Sequence, residues 1–205
     1  RTLKVGECIL IDMGCVWKGY CSDMTRTFYC KEASAEEQEI HDIVREAVLR
    51  AESVIKPGVR FCDIDAQARD YIDEKGYSEY WKIRLGHFIG QEDHEYGDVS
   101  PINKNVAEPG MIFSIEPGIY IEGSHGIRTE NELLVCEKEK TEYGQFLCFE
   151  PITYVPIDLD AVNPDMMTKE DKEQLNAYHA KVYELVSPHL NEEEKEWLKE
   201  YTRAI

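Results

Sequence analysis

Four carboxylates and one histidine stand beside apolar runs, where an ionisable side chain is costly to bury. They are Asp12, Asp23, His87, Glu116 and Glu130. Several buried carboxylates in one small protein repel each other unless cations neutralise them, and two divalent ions would balance four of them. An oxygen-rich set with one nitrogen donor suits hard or borderline divalent metals such as Mn²⁺ better than a metal that prefers thiolates. The pattern therefore favours a metal centre.

Each of these residues also has an ordinary structural explanation. Asp12 can cap a turn, and His87, between Gly86 and Phe88, can be a core histidine with its hydrogen bonds satisfied. Glu116 can be a turn residue before Pro-Gly, and Glu130 can face solvent or pair with Arg128. These alternatives stay open for each residue alone. Taken together they leave several like charges on apolar strands, which favours the metal interpretation.

The first third of the chain predicts two strands and two helices. An apolar run and a β-prone run predict strands over 8–13 and 20–29, around a turn at Lys18-Gly19. Ser34 and Glu37 form a capping-box pattern before a helix, and Asp63 is predicted to cap a second helix that ends near Gly76. His41 is predicted to be a solvated helix residue. The apolar stripe of the first helix is Ile40, Ile43, Val44, Ala47, Val48, Ala51, Val54 and Ile55.

The rest of the chain predicts an antiparallel run of strands and then a helical tail. Strands are predicted over 111–115, 118–121, 132–136 and 146–157. Thr168 is predicted to cap a long helix that Ser187-Pro188 ends, and Asn191 to begin a last short helix. The apolar residues of these two helices are Leu175, Tyr178, Val182, Leu185, Val186, Trp197, Leu198 and Tyr201. Strands, helices and a further run of strands predict the α+β class.

Composition and net charge limit the classes of molecule that the protein is expected to bind. The chain has 205 residues, 41 acidic against 23 basic, and a net charge of -18. This balance argues against nucleic acid and anionic membrane surfaces as partners, and no apolar run approaches the ~20 residues of a membrane span. The seven cysteines form no C-x-x-C pattern, which favours a reducing, cytoplasmic location. The chain starts at Arg1 without an initiator Met, as expected for a piece of a longer protein.

The chain resembles the M24 metallopeptidases, the group of methionine aminopeptidase, aminopeptidase P and prolidase. The matching segments occur in the family's order: Ile11-Asp12-Met-Gly14, Tyr20-Cys-Ser-Asp23-Met-Thr-Arg-Thr-Phe28, Gly86-His87-Phe-Ile-Gly90 with His94-Glu95, Ser114-Ile-Glu116-Pro-Gly118 with Tyr120, and Gly126-Ile-Arg128-Thr-Glu130-Asn131. The resemblance implies a pita-bread fold, incomplete at its N-terminal side, and a site for two metals. It also implies that the ligands are Asp12, Asp23, His87, Glu116 and Glu130.

The tail resembles the C-terminal extension of multi-domain aminopeptidase P enzymes. The similar segments are Phe149-Glu150-Pro151-Ile-Thr153, Val155-Pro156-Ile157, Leu175-Asn176-Ala-Tyr178-His179 and Trp197-Leu198. This predicts a peptidase-like domain over 1–157 and a helical extension over 158–205. The sequence departs from the proline peptidases at Ile83, where they usually carry a histidine. The family's upstream histidine also lies outside these 205 residues, so the resemblance implies an incomplete substrate pocket.

The implied reaction is hydrolysis of an N-terminal Xaa-Pro peptide bond, with water activated between two divalent metals. Glu116 would be both a metal ligand and the general base, and His94 would bind the substrate or the developing oxyanion. Arg128 and Tyr120 would orient ligand carboxylates such as Asp12. Mn²⁺ is the expected metal, with Co²⁺ or Zn²⁺ as alternatives.

Two other functions stay open: a Xaa-Pro dipeptidase, and a non-catalytic binding module on the same scaffold. The expected partners are peptides with proline at the second position. A symmetric homodimer is also expected, with the tail taking part in the contact.

Overall fold

The computed structural model describes residues 2–54 and 56–205, so Arg1 and the predicted stripe residue Ile55 lie outside the described residues. Strands and helices follow each other in separate runs along the chain, as is typical of the α+β class. The strands are β1 Cys8–Trp17, β2 Tyr20–Tyr29, β3 Gly86–His87, β4 Asp98–Val99, β5 Ile112–Ile115, β6 Gly118–Tyr120, β7 Gly126–Arg128, β8 Asn131–Thr141 and β9 Gly144–Pro151. The α-helices are α1 Ala35–Ser53, α2 Phe61–Glu74, α3 Lys169–Val186 and α4 Glu192–Tyr201.

The first hairpin pairs β1 with β2 across a two-residue connection. Lys18 and Gly19 both have positive φ, 51° and 86°, which is the conformation of the tight hairpin turns that match strand twist. Because the turn is this short, β1 continues to Trp17 instead of ending near residue 13 as predicted.

Helices α1 and α2 have different N-terminal caps. Ser34 and Glu37 form the predicted capping box of α1, with each side chain accepting from the other's backbone amide. The prediction that Asp63 caps α2 was wrong, because the N-cap is Arg60 and Asp63 lies inside the first turn. There its carboxylate binds the Arg60 guanidinium and backbone amide. His41 was also predicted wrongly, since it is buried at 2% exposure on the inner face of α1.

A three-stranded antiparallel sheet, in the order β5-β8-β9, places the two glutamates beside each other. Ile115 at the end of β5 pairs with Asn131 at the start of β8. Glu116, which directly follows β5, and Glu130, which directly precedes β8, therefore lie at the same end of these paired strands. β9 ends at Pro151 and not near residue 157 as predicted. The ladder stops because the Thr153 hydroxyl, instead of a backbone carbonyl, accepts from the Glu132 amide.

Two short antiparallel strand pairs position the remaining side chains of the site. β3 pairs with β4, and β6 pairs with β7 so that Gly118 lies opposite Arg128. Gly86 of β3 is needed because a Cβ there would lie 1.9 Å from the Ser114 carbonyl oxygen. The close approach of β3 to β5 thus brings His87 beside the glutamate edge. The two-residue strands β3 and β4 were not predicted, since so short a run carries no periodicity.

The chain forms two compact units. The site unit consists of Leu10–Thr27 and Glu39–Thr153 and contains every candidate ligand. The tail unit consists of residues 2–9, Phe28–Gln38 and Tyr154–Ile205, with its own apolar cluster of Ile157, Leu159, Val162, Met167 and Leu175. Thr168 and Asn191 cap α3 and α4 as predicted. The domain boundary between residues 157 and 158 stays a prediction. In the described part of the chain, each helix is too short or too polar to traverse a lipid bilayer.

Candidate metal centre

Five separate segments of the site unit supply the five candidate ligands. Asp12 lies on β1, Asp23 on β2, His87 ends β3, Glu116 follows β5 and Glu130 lies between β7 and β8. Ligand atoms of Asp23, His87 and Glu130 all lie within 4.8 Å of one another. Glu116 joins them, because its Oε1 is 3.5 Å from His87 Nε2. Asp12 is half exposed and interacts with Asp23 at the open side of the group.

His87 is oriented with one ring nitrogen toward the carboxylates. Its Nδ1 is 3.1 Å from the Phe88 carbonyl oxygen, which accepts a hydrogen bond from it and so assigns the proton to Nδ1. Nε2 then faces Asp23 Oδ2 and Glu116 Oε1, each at 3.5 Å. Without metal, Nε2 can donate to these carboxylates. A divalent cation would displace that proton, and a neutral histidine held in this way would then offer a lone pair at Nε2, as a metal ligand must.

Glu130 gives the clearest test of whether a cation fits. The carboxylate is 1% exposed, and its Oε2 accepts a hydrogen bond from Thr25 Oγ1 at 2.6 Å. Its Oε1 is buried and has no hydrogen-bond partner among residues 2–54 and 56–205. A buried carboxylate oxygen without a partner is expensive, and the Glu130 carboxylate belongs to the group that contains Asp23 and His87. The donor set therefore fits divalent cations.

Arg128 connects the carboxylates to the surrounding strands. Its guanidinium donates to Asp12 Oδ2, to the Tyr120 hydroxyl at 2.8 Å and to Thr25 Oγ1 at 2.9 Å. Its Nε also lies 3.8 Å from Glu116 Oε2. Only 12% of the Arg128 side chain is exposed, so it is not a surface charge paired with Glu130. A single buried cation thus holds Asp12 and Tyr120 in fixed positions.

His94 and Ile83 lie beside the centre and differ in what they can do. The His94 ring stacks on His87 with centroids 3.8 Å apart, and its side chain is 70% exposed. It can therefore reach a molecule that approaches the ligands from solvent. Ile83 is half-buried and offers no polar atom from its side chain. Its carbonyl oxygen instead accepts from the Trp81 indole.

Burial and mutual repulsion set the protonation of the group. Burial, followed by the nearby Glu116, raises the pKa of Glu130 to about 8, and burial also raises the pKa of Glu116. The hydrogen bond from His87 lowers the pKa of Asp23. Burial lowers the pKa of His87, but Asp23, the Phe88 carbonyl and the glutamates together raise it to about 9. Without cations the carboxylates resist full ionisation, and added positive charge would reverse this.

Three residues that hydrogen-bond to the candidate ligands were not predicted from the sequence. Thr25 binds Glu130 and Arg128, the Ser114 hydroxyl donates to Glu116 Oε1 at 3.2 Å, and Glu132 accepts from the Asp23 amide. Each lies two positions from a predicted ligand on a strand or at its end. Since side chains two apart share a face of a strand, this spacing is the signal that would have found them.

The sequence profile of metallopeptidase family M24 matches residues 1–137. The chain belongs to metallopeptidase family M24. The profile of the C-terminal region of peptidase M24 matches residues 145–205, which include both helices of the tail. The fold class inferred from the resemblance is confirmed by similarity to solved M24-type enzymes.

Individual relatives and solved structures extend the comparison. An uncharacterized peptidase of Staphylococcus aureus is 52% identical over 135 residues, which are 66% of this chain and 38% of the relative. The Xaa-Pro dipeptidase from Bacillus anthracis is 42% identical, with 77% of this chain and 42% of that chain covered and a TM-score of 0.68. The X-prolyl aminopeptidase from Caenorhabditis elegans, described as a cytosolic enzyme with a di-nuclear active site, is 26% identical. That match covers 98% of this chain and 34% of that one, with a TM-score of 0.86. The chain thus spans less than half the length of these proteins.

Proposed function

We propose that the protein carrying this chain is a di-metal aminopeptidase that hydrolyses N-terminal Xaa-Pro peptide bonds. The observation that carries the proposal is the convergence of ligand atoms of Asp23, His87 and Glu130 within 4.8 Å. The buried Oε1 of Glu130, which has no hydrogen-bond partner among the described residues, supports it. Glu116 and Asp12 complete a set of four carboxylates and one imidazole, enough to bind two divalent cations. Mn²⁺ is our first choice, with Co²⁺ or Zn²⁺ as alternatives, because the donors are mostly oxygen.

The chain's own residues have distinct tasks in this proposal. Bound divalent ions would supply an acidified water and polarise the scissile carbonyl. Glu116 accepts the water proton at Oε2, because Ser114 occupies Oε1 and burial raises the pKa of this carboxyl toward the range of a general base. Arg128 and Tyr120 keep Asp12 in place, and the exposed His94 hydrogen-bonds the substrate or the oxyanion.

We prefer an aminopeptidase to a dipeptidase because the tail is matched by one aminopeptidase, that of C. elegans. The match to the C. elegans aminopeptidase includes nearly the whole chain, whereas the match to the B. anthracis dipeptidase covers 77% of it. The match of residues 145–205 to the C-terminal M24 profile supports the same choice. We therefore assign peptides longer than two residues as substrates.

The proposal is tested with the full-length protein. We expect it to hydrolyse a Xaa-Pro-Xaa tripeptide with Mn²⁺ and to prefer it to a Xaa-Pro dipeptide. Glu116→Gln keeps the size of the side chain but removes the proton acceptor, so the rate should fall by about 10²–10⁴-fold. Glu122→Gln is the matched control at an exposed position and should keep the rate.

The competing function is a binding module without catalysis, and the observation in its favour is the apolar Ile83. If the full-length protein binds Mn²⁺ but cleaves neither peptide, the binding module is correct. If it cleaves the dipeptide faster than the tripeptide, the dipeptidase is correct.

We further propose a homodimer in the cytoplasm. Leu175 and Val182 of the predicted apolar stripe are buried within the tail unit, but Trp197 and Leu185 remain 55% and 37% exposed. None of the seven cysteines, all of which lie within the described residues, is in a disulfide, which supports a reducing compartment. Light scattering of the intact chain at tens of micromolar tests the dimer, and Trp197→Glu should shift it to the monomer. A monomeric wild-type chain would exclude this arrangement.

A further inference from the structure

Two cysteines lie directly opposite each other on the paired strands β8 and β9, away from the candidate metal centre. Cys136 of β8 pairs with Cys148 of β9 in the antiparallel register. Both thiols are half-buried. The neighbouring positions Val135 and Phe149 point to the other face of the sheet, where Phe149 packs edge-on against the buried Phe113. The two thiols therefore share the face turned away from this aromatic packing.

The hydrogen-bond pattern fixes how far apart the two backbones are. The Ile152 amide donates to the Glu132 carbonyl at 3.0 Å, so this pair is a hydrogen-bonded position of the ladder. Hydrogen-bonded and non-bonded pairs alternate along the ladder. Cys136 and Cys148 form the pair four steps beyond Glu132 and Ile152, so theirs is again a hydrogen-bonded position. Cα atoms at such a pair are about 5.5 Å apart, within the range that a disulfide spans.

The thiols also interact with each other and with a neighbouring acid. Cys136 Sγ lies 3.5 Å from Glu150 Oε2, and the Cys148 thiol is a further hydrogen-bond partner of Cys136. Burial, then Glu150, raises the pKa of the Cys136 thiol. Other cysteines have different neighbours: Cys15 Sγ contacts the Ser22 hydroxyl, and Cys21 Sγ donates to the Gln91 carbonyl.

We propose that Cys136 and Cys148 are a modification site, at which a low-molecular-weight disulfide oxidises the pair to a reversible cross-strand disulfide. One thiolate attacks the small disulfide, forming a mixed disulfide and releasing one small thiol. The second protein thiolate then attacks the mixed disulfide and releases the other small thiol. The two protein thiols lose two protons and two electrons to form one S–S bond, while the S–S bond of the oxidant is broken and reduced to two thiols.

The bond would tie the β8–β9 hairpin at its middle. It closes the loop formed by residues 137–147, which includes a register shift between Glu137 and Lys140. A cross-link limits opening of this segment, so its backbone amides should exchange with solvent more slowly after oxidation. The reaction should also be faster at pH 9 than at pH 7, because thiolate is the attacking form and the Cys136 pKa is raised.

The test is oxidation of the folded chain by glutathione disulfide, followed by peptide mapping under non-reducing conditions. We expect a product that lacks two hydrogens, a cross-linked peptide joining Cys136 to Cys148, and full reversal by dithiothreitol. Cys136→Ser should abolish this peptide and leave Cys148 as a mixed disulfide with glutathione. Cys21→Ser is the matched control and should leave the cross-link unchanged.

Two results would overturn the proposal. One is a wild-type chain that carries glutathione on both Cys136 and Cys148 after complete reaction, without a cross-link. The other is a cross-link that joins either residue to a different cysteine while the protein is folded. Slower amide exchange of residues 137–147 in the wild type, but not in Cys148→Ser, gives a second readout that does not depend on mapping.

Discussion

Buried polar side chains in the two units of the chain include two contrasting kinds. In the tail unit, Asp158 accepts from the Tyr29 and Asp160 amides, and His179 Nε2 accepts from the Ile157 amide at 3.0 Å. In the site unit, Glu130 uses one oxygen for Thr25 and leaves the other without a partner among the described residues. Backbone amides donate to the first kind of group, whereas the second kind keeps a buried carboxylate oxygen without a donor among the described residues. We expect the first kind to stabilise the fold and the second kind to be the place where a ligand binds.

The largest effect is expected where a completed group is removed. His179 is fully buried, so His179→Ala leaves the Ile157 amide without its acceptor and creates a cavity. We expect the free energy of unfolding to fall by about 4 kcal/mol, as measured by urea denaturation. His189→Ala removes an exposed histidine from the same unit and should change it by less than about 0.5 kcal/mol. If the two substitutions changed the free energy of unfolding equally, His179 would not have the structural role that we assign to it.

A buried histidine of the site unit should make the stability of the protein depend on pH. Burial, helped by Arg45 and Arg26, lowers the pKa of His41 to about 4 from an ordinary value of 6.5. Between these values the unfolded chain binds a proton that the folded chain rejects, so stability is present above pH 6.5 and is lost as pH falls to 4. Relative to His41→Gln, the wild type should lose about 3 kcal/mol over this interval. Parallel pH curves for the wild type and His41→Gln would show that the histidine is not buried.

The smallest effect has the opposite sign and belongs to the open group. Without metal, ionised Glu130 is destabilised by burial and by Glu116, so Glu130→Gln should raise the free energy of unfolding by about 1 kcal/mol at pH 8. The measurement is a denaturation curve after dialysis against a chelator. Glu137→Gln, an exposed change on the same strand β8, should have no effect. If Glu130→Gln destabilises the metal-free protein, Glu130 is a fold residue like those of the tail.

Local rules predicted the parts of the fold that depend on neighbouring residues. The caps at Ser34, Thr168 and Asn191 appear where their side-chain chemistry and spacing placed them. Asp63 failed as a cap because the same carboxylate pattern also fits the third position of the first turn, where Arg60 holds it. The burial of His41 was missed because a single polar residue beside an apolar stripe does not reveal which side of the stripe is covered.

The residues of the candidate site could be predicted from the sequence, but the hydrogen bonds that connect them could not. Carboxylates on apolar strands stand out in the sequence because burial makes them costly. The partners of those carboxylates do not, since Thr25 and Glu130 are 105 residues apart and nothing local connects them. Only the pairing of β5 with β8, and the crossing of β2 beside Glu130, brings the partners together.

The most direct test of the account is a count of metal ions bound to the chain. Equilibrium dialysis against Mn²⁺, with metal analysis of the protein, should give two ions per wild-type chain. Asp23→Ala should reduce binding by at least one ion, because it removes a carboxylate that lies against His87. Asp70→Ala, on an exposed face of α2, should bind as the wild type does. A wild-type chain that binds no Mn²⁺, Co²⁺ or Zn²⁺, or an Asp23→Ala chain that still binds two ions, would contradict the metal centre.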